Sequence, residues 1–128
     1  MSTVSLSLDE IFDLAKKTLL ANGCDDETAS ILSDLIRNAE RDGSLSHGLF
    51  RLPAYVSGLK SGKINGKGKP EVKKISASVI KVKGNNCLAP VVLSKGLPEL
   101  AKAAKENGVA VLAINNSHHM AAMWPETE

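Results

Sequence analysis

At 128 residues the chain has the length of one domain or of part of one. With 43% apolar and 23% charged residues it is neither a disordered nor a membrane chain, and no apolar run approaches the roughly 20 residues that a bilayer crossing needs. A formal charge of +2 with both signs interspersed, and only 3% aromatic residues, argue against a nucleic-acid partner and leave small anionic molecules as candidates.

The opening MSTVSLSLDEIF lacks the basic start and continuous apolar stretch of a secretory signal, so a cytoplasmic location is expected. Ser7-Leu8-Asp9-Glu10 has the form of a capping box. Leu8, Ile11, Phe12, Ala15, Leu19 and Leu20 follow it at helical spacing, which predicts a first helix ending at Asn22-Gly23. Asp25 or Asp26 can cap a second helix, with Ile31, Leu32, Leu35, Ile36 and Ala39 as its apolar stripe and Gly43 as its stop.

A third, shorter helix is predicted after Leu49 through Tyr55 and Leu59, with Pro53 tolerated in its first turn. SGKINGKGKP then reads as a solvated connection, because it lacks the spacing of a phosphate loop. Lys73 to Lys83 reads as one or two short strands ending at Gly84-Asn85-Asn86. Pro90 to Asn107 reads as a helix that Gly96 and Pro98 should break or delay. VAVLAI, 109 to 114, reads as a strand covered on both faces. The fold class is therefore α/β, with a helical N-terminal cap followed by mixed strands and helices. Residues 1–62 form the helical segment with the Ser-His pair, and 63–128 begin an α/β region.

Two polar clusters carry histidine. The strand at 109–114 runs into Asn115-Asn116-Ser117-His118-His119, and ligands bind at the carboxyl ends of strands in α/β sheets. Residues 41 to 55, RDGSLSHGLFRLPAY, place Ser46, His47 and Arg51 within six positions. Imidazole is suited to proton transfer, and a guanidinium sharing a helical face with His47 could clamp a carboxylate or phosphate. The plainer alternative makes Ser46 a helix cap, His47 a turn residue and Arg51 a solvated charge. Cys24 and Cys87 stand far apart outside any C-x-x-C pair and read as free structural thiols; no ligand spacing joins them to the histidines, so no metal is expected.

Asn38 to Tyr55, NAERDGSLSHGLFRLPAY, together with NSHHMAAMW at 116 to 124, resembles the type-2 malate/L-lactate dehydrogenase family. That family includes ureidoglycolate dehydrogenase and Δ1-piperideine-2-carboxylate reductase branches. The resemblance implies a homodimeric oxidoreductase dependent on NAD or NADP that is not a Rossmann protein, in keeping with the absence of G-x-G-x-x-G. Its substrates would be small anions: 2-oxo and 2-hydroxy acids, or cyclic imino acids. By similarity His47 is the proton donor, Ser46 stands beside it in a relay, and Arg51 contacts the cofactor. His119 would be a second acid-base group or part of a cofactor segment with Met120, Ala121, Ala122 and Met123. Family members run well beyond this length, so the chain is expected to be an N-terminal portion, inactive by itself. The alternative is a non-catalytic remnant serving as a folding or interaction module.

Overall fold

The structure, a computed structural model, describes residues 3–118. The chain divides into two units, one running through Gly62 and the other starting at Lys63.

In the first unit the capping box forms as its spacing predicts: the Glu10 N–H donates to Ser7 Oγ at 3.2 Å and the Ser7 N–H donates to Glu10 Oε2 at 2.7 Å. It opens α1, Leu8–Ala21, and those bonds hold the Glu10 carboxyl below its ordinary pKa. Helix α2, Asp26–Arg41, is capped by Asp25, which accepts the Thr28 N–H at 2.9 Å. Ile11, Ala15 and Leu19 of α1 recur every fourth residue and are buried, as are Leu32, Leu35, Ile36 and Ala39 of α2. The two helices pack on these stripes. Truncating a fully buried leucine such as Leu19 or Leu32 to alanine would cost about 2–5 kcal/mol. At the rim, Lys16 pairs with Asp26 at 2.9 Å, a partly exposed bridge worth roughly 0–1 kcal/mol.

The predicted third helix starts differently. Two 3-10 turns, Leu45–His47 and Leu49–Arg51, precede α3, Leu52–Lys60. Pro53 lies in the first turn of α3, where its missing N–H costs nothing. His47 and Arg51 therefore do not share a helical face: they sit in separate turns, broken at Gly48.

In the second unit a hairpin of β1, Glu71–Ser76, and β2, Val79–Lys83, pairs antiparallel. Helix α4, Ala89–Asn107, carries the chain to β3, Val111–Asn115, which pairs parallel with β2. The sheet order is β1-β2-β3. Ile80 and Val82 of β2 are buried, as are Val92 and Gly96 of α4. A side chain on Gly96 would stand 3.0 Å from Leu112 and Val82, which shows how closely α4 lies on the sheet.

Three expectations are corrected here. Helix α4 runs unbroken through Gly96 and Pro98. Ser94 and Pro98 lie on its exposed side, where water can satisfy the carbonyl that proline leaves without a donor, while the opposite face is held by the sheet. The connection 61–70 exposes its lysines but buries Ile64, Gly66 and Gly68, and the Asn65 N–H donates to the Asn86 carbonyl at 2.9 Å. Finally, β3 is not covered on both faces: Val111 and Ala113 are exposed and alternate with half-buried Leu112 and Ile114. An all-apolar run hides that alternation from the sequence. Among the described residues no helix is long and apolar enough to cross a membrane.

Candidate functional site

The Ser-His segment is placed by the end of α2. The Ser44 N–H donates to the Ala39 carbonyl at 2.8 Å and the Gly43 N–H to the Glu40 carbonyl at 3.2 Å, the paired bonds of a Schellman ending. Gly43 takes φ +73, a left-handed conformation that suits glycine. This ending turns the chain directly into the first 3-10 turn, where the His47 N–H donates to the Ser44 carbonyl at 2.8 Å.

In a 3-10 turn residues i and i+3 eclipse, so Ser44 stacks over His47. Ser44 Oγ lies 3.3 Å from His47 Nδ1, and Ser46 Oγ lies 3.0 Å from the same nitrogen. Two hydroxyls thus converge on Nδ1. Ser46 is not a helix cap: Ser44 and Gly48 hold the cap positions of the two 3-10 turns and Arg51 that of α3, none with a side-chain cap bond.

Arg51 reaches back across the break, its Nε–H donating to the Ser46 carbonyl at 2.9 Å. That bond fixes the guanidinium beside the turn and uses one of its five donors. Further along α3 Tyr55 is buried, and burial raises its phenol above the ordinary value against the opposing charge of Arg51. Leu45 and Phe50 flank the turn with 63% and 76% of their surface exposed, and with Ser46 they line an open cavity of about 290 Å³.

Two residues of this arrangement are not singled out by the sequence reading. Ser44 carries a readable signal, since S-x-x-H spacing stacks the pair once a 3-10 turn is assumed. Glu40 carries none: its Oε1 accepts the Leu49 N–H at 2.7 Å from nine residues upstream.

The second cluster sits at the carboxyl ends of β2 and β3. The Gly84 N–H donates to the Asn115 carbonyl at 2.7 Å, the Asn86 N–H to the Asn116 carbonyl at 2.8 Å and the His118 N–H to the Cys87 carbonyl at 2.9 Å. Asn85, Asn86 and Asn116 all take positive φ, a conformation asparagine tolerates better than most residues. The start of α4 joins them, with the Ala89 N–H donating to the His118 carbonyl at 3.1 Å. His119, Met120, Ala121, Ala122 and Met123 lie outside the described residues. Cys24 and Cys87 are buried and are not joined in a disulfide.

The sequence profile described as Malate/L-lactate dehydrogenase matches residues 6–128. A Delta(1)-pyrroline-2-carboxylate/Delta(1)-piperideine-2-carboxylate reductase of Pseudomonas syringae pv. tomato is 39% identical over 98% of this chain and 37% of its own length. A malate/(S)-sulfolactate dehydrogenase of Methanothermus fervidus is 39% identical over 89% of this chain and 34% of its own. The crystal structure of the P. syringae delta1-piperideine-2-carboxylate reductase superposes with a TM-score of 0.92, covering 97% of this chain and 37% of that one at 39% identity. Malate dehydrogenase from Pyrococcus horikoshii gives a TM-score of 0.84 at 30% identity over 92% of this chain and 34% of that one. The mixed α/β architecture is thus that of malate/lactate dehydrogenase-type folds, and the chain spans little more than a third of the length of these relatives.

Proposed function

The chain belongs to the malate/L-lactate dehydrogenase family, and from that premise we propose that the protein of which it is a part reduces 2-oxo acids or cyclic imino acids with NADH or NADPH. The observation that carries the proposal is the convergence of Ser44 Oγ and Ser46 Oγ on His47 Nδ1, at 3.3 and 3.0 Å. A ring held through Nδ1 presents Nε2 in a set direction, as a proton donor requires.

A reduced nicotinamide, when bound, supplies the hydride. The residues present suit such an anionic, partly planar ligand: Arg51 is anchored through Nε, one of the five N–H groups of its guanidinium, and exposed Leu45 and Phe50 offer apolar surface beside Ser46. His47 holds the proton that the substrate oxygen or nitrogen takes up. A positioned acid of this kind contributes typically ~10²–10⁴-fold. The hydroxyls of Ser44 and Ser46 orient the imidazole and support its charge changes, and Arg51 provides positive charge for a carboxylate or phosphate. In the same reading His119 to Met123 contribute to the cofactor site, and the protein works as a cytoplasmic homodimer.

The test is an assay of the full-length protein with NADH and NADPH against pyruvate, oxaloacetate and a cyclic imino acid, in wild type and in His47→Ala. We expect turnover on at least one substrate class and a loss of about 10²–10⁴ in kcat for the variant. Absence of turnover on all of them would overturn the proposal.

A further inference from the structure

We propose that Glu40 is the positioning residue of the Ser46–His47 turn: from the end of α2 its carboxylate takes the Leu49 N–H across the absent side chain of Gly48, and so sets how His47 presents its ring. The inference rests on His47 being the proton donor.

The two 3-10 turns meet at Gly48, where φ −87 and ψ −135 interrupt the run. An interruption leaves the leading N–H groups of the second turn without partners inside it, and Gly48, which holds the cap position, has no side chain to offer. Glu40 supplies the missing acceptor, at 2.7 Å and partly buried. A carboxylate accepting a backbone N–H is a charge-assisted bond, stronger than a neutral one. The fit is close: a Cβ built on Gly48 would overlap the Glu40 carboxylate itself. Glycine at 48 and glutamate at 40 therefore form one device, in which the missing side chain of one makes room for the carboxylate of the other.

The device acts on His47 through the chain. Gly48 follows His47 directly, and its own N–H donates to the Leu45 carbonyl at 3.3 Å to close the first turn. Upstream, the Schellman bonds from Gly43 and Ser44 fix the entry to that turn. With Glu40 holding Leu49, the five residues from Ser44 to Gly48 are pinned at both ends from the final two turns of the same helix. Without it the entry and the Arg51 bond to the Ser46 carbonyl remain, but the Leu49 N–H loses its acceptor and the peptide that follows His47 can shift, carrying the ring with it.

The experiment compares Glu40→Ala, Glu40→Gln, Gly48→Ala and His47→Ala in the full-length protein by steady-state kinetics, thermal melting and the ring nitrogen signals of ¹⁵N-histidine-labelled samples. Glu40→Ala and Gly48→Ala should each lower kcat about ten- to a hundredfold per folded molecule, with KM for the cofactor nearly unchanged, since displacement of an acid by an ångström has effects of that order. The His47 ring signals should broaden or shift in both. Glu40→Gln, which keeps an acceptor oxygen for the Leu49 N–H, should recover most of the kcat and the wild-type ring signals. Should Glu40→Ala fail to fold, Glu40→Asp keeps the charge while shortening the reach, and should show the same kcat loss. Unchanged kcat and ring signals in folded Glu40→Ala (or Glu40→Asp) and Gly48→Ala, beside a disabled His47→Ala, overturn this inference alone. An active His47→Ala overturns the assignment of His47 beneath it.

Discussion

The Nε–H of Arg51 is tied at 2.9 Å to the carbonyl oxygen of Ser46, the residue whose hydroxyl touches the His47 ring. The guanidinium is therefore anchored through one of its five N–H groups. Arg51→Ala should raise KM for the nicotinamide cofactor about ten- to a hundredfold, the equivalent of losing a charge-assisted contact of roughly 1.5–3 kcal/mol, with a smaller change in kcat. Arg51→Lys should recover little, because an ammonium cannot hold the Ser46 carbonyl and an anion in the same fork geometry. Initial-rate kinetics on the full-length protein check both.

Two hydroxyls on one ring nitrogen make the relay redundant. Ser44→Ala and Ser46→Ala should each lower kcat by about two- to tenfold, the range of a single net hydrogen bond of roughly 0.5–1.5 kcal/mol. The double variant should lose more than the product of the two, because either hydroxyl can serve when the other is removed. A double-mutant cycle measures that coupling; strict additivity would show that the two hydroxyls act independently, and an unchanged single variant that its serine plays no part.

The two long N-terminal helices were legible because their signals are local: Ser7 and Glu10 lie three residues apart, and Asp25 caps its own helix. Ser46, His47 and Arg51 were legible as a set of residue types and as a motif. Their arrangement was not, since it depends on a Schellman ending, a break at Gly48 and a carboxylate arriving from nine residues away. The unbroken course of α4 is hidden from the sequence for a related reason. The cost of Pro98 is local and visible in the sequence, whereas the packing of Val92, Gly96 and Ala103 that keeps the helix intact is tertiary.

Cys24 is buried at the start of the turn into α2, and burial, with the Asp25 carboxylate in second place, pushes its thiol up from 9.0 to about 11. Its folded pKa is raised, so the stability it contributes is complete below the unfolded value and is lost as pH climbs toward the folded one. Between about pH 9 and 11 the unfolded chain gives up the proton while the folded chain keeps it, and stability should fall by on the order of 1–2 kcal/mol. Denaturant titrations of wild type and Cys24→Ala across that range isolate the effect, which should vanish in the variant. Alkylation of native Cys24 at pH 8 should be correspondingly slow, the thiolate being the reactive form.

Gly96→Ala should destabilise the second unit although alanine is the better helix former. The gain in propensity is about 0.5–1 kcal/mol. Against it, the new methyl would stand 3.0 Å from both Leu112 methyls and from Val82 Cγ2, and overpacking of this kind costs typically ~1–3 kcal/mol. The melting temperature should therefore drop by a few degrees, whereas Ala101→Gly on the exposed side of the same helix should show the propensity effect alone.

The two borders of the sheet meet a stray polypeptide on different terms. Strand β1 carries Glu71, Lys73 and Lys74 among its six residues, all exposed, and a charged strand of that kind discourages a foreign chain from pairing along it. Strand β3, VLAIN, carries no charge, and among the described residues it is bonded to β2 alone. Crowding or heating should therefore recruit a further strand at β3 and leave β1 untouched. Two copies joined strand to strand at β3 would each turn a charged β1 outward, so association by this route would close at a pair of chains and not grow into a fibril.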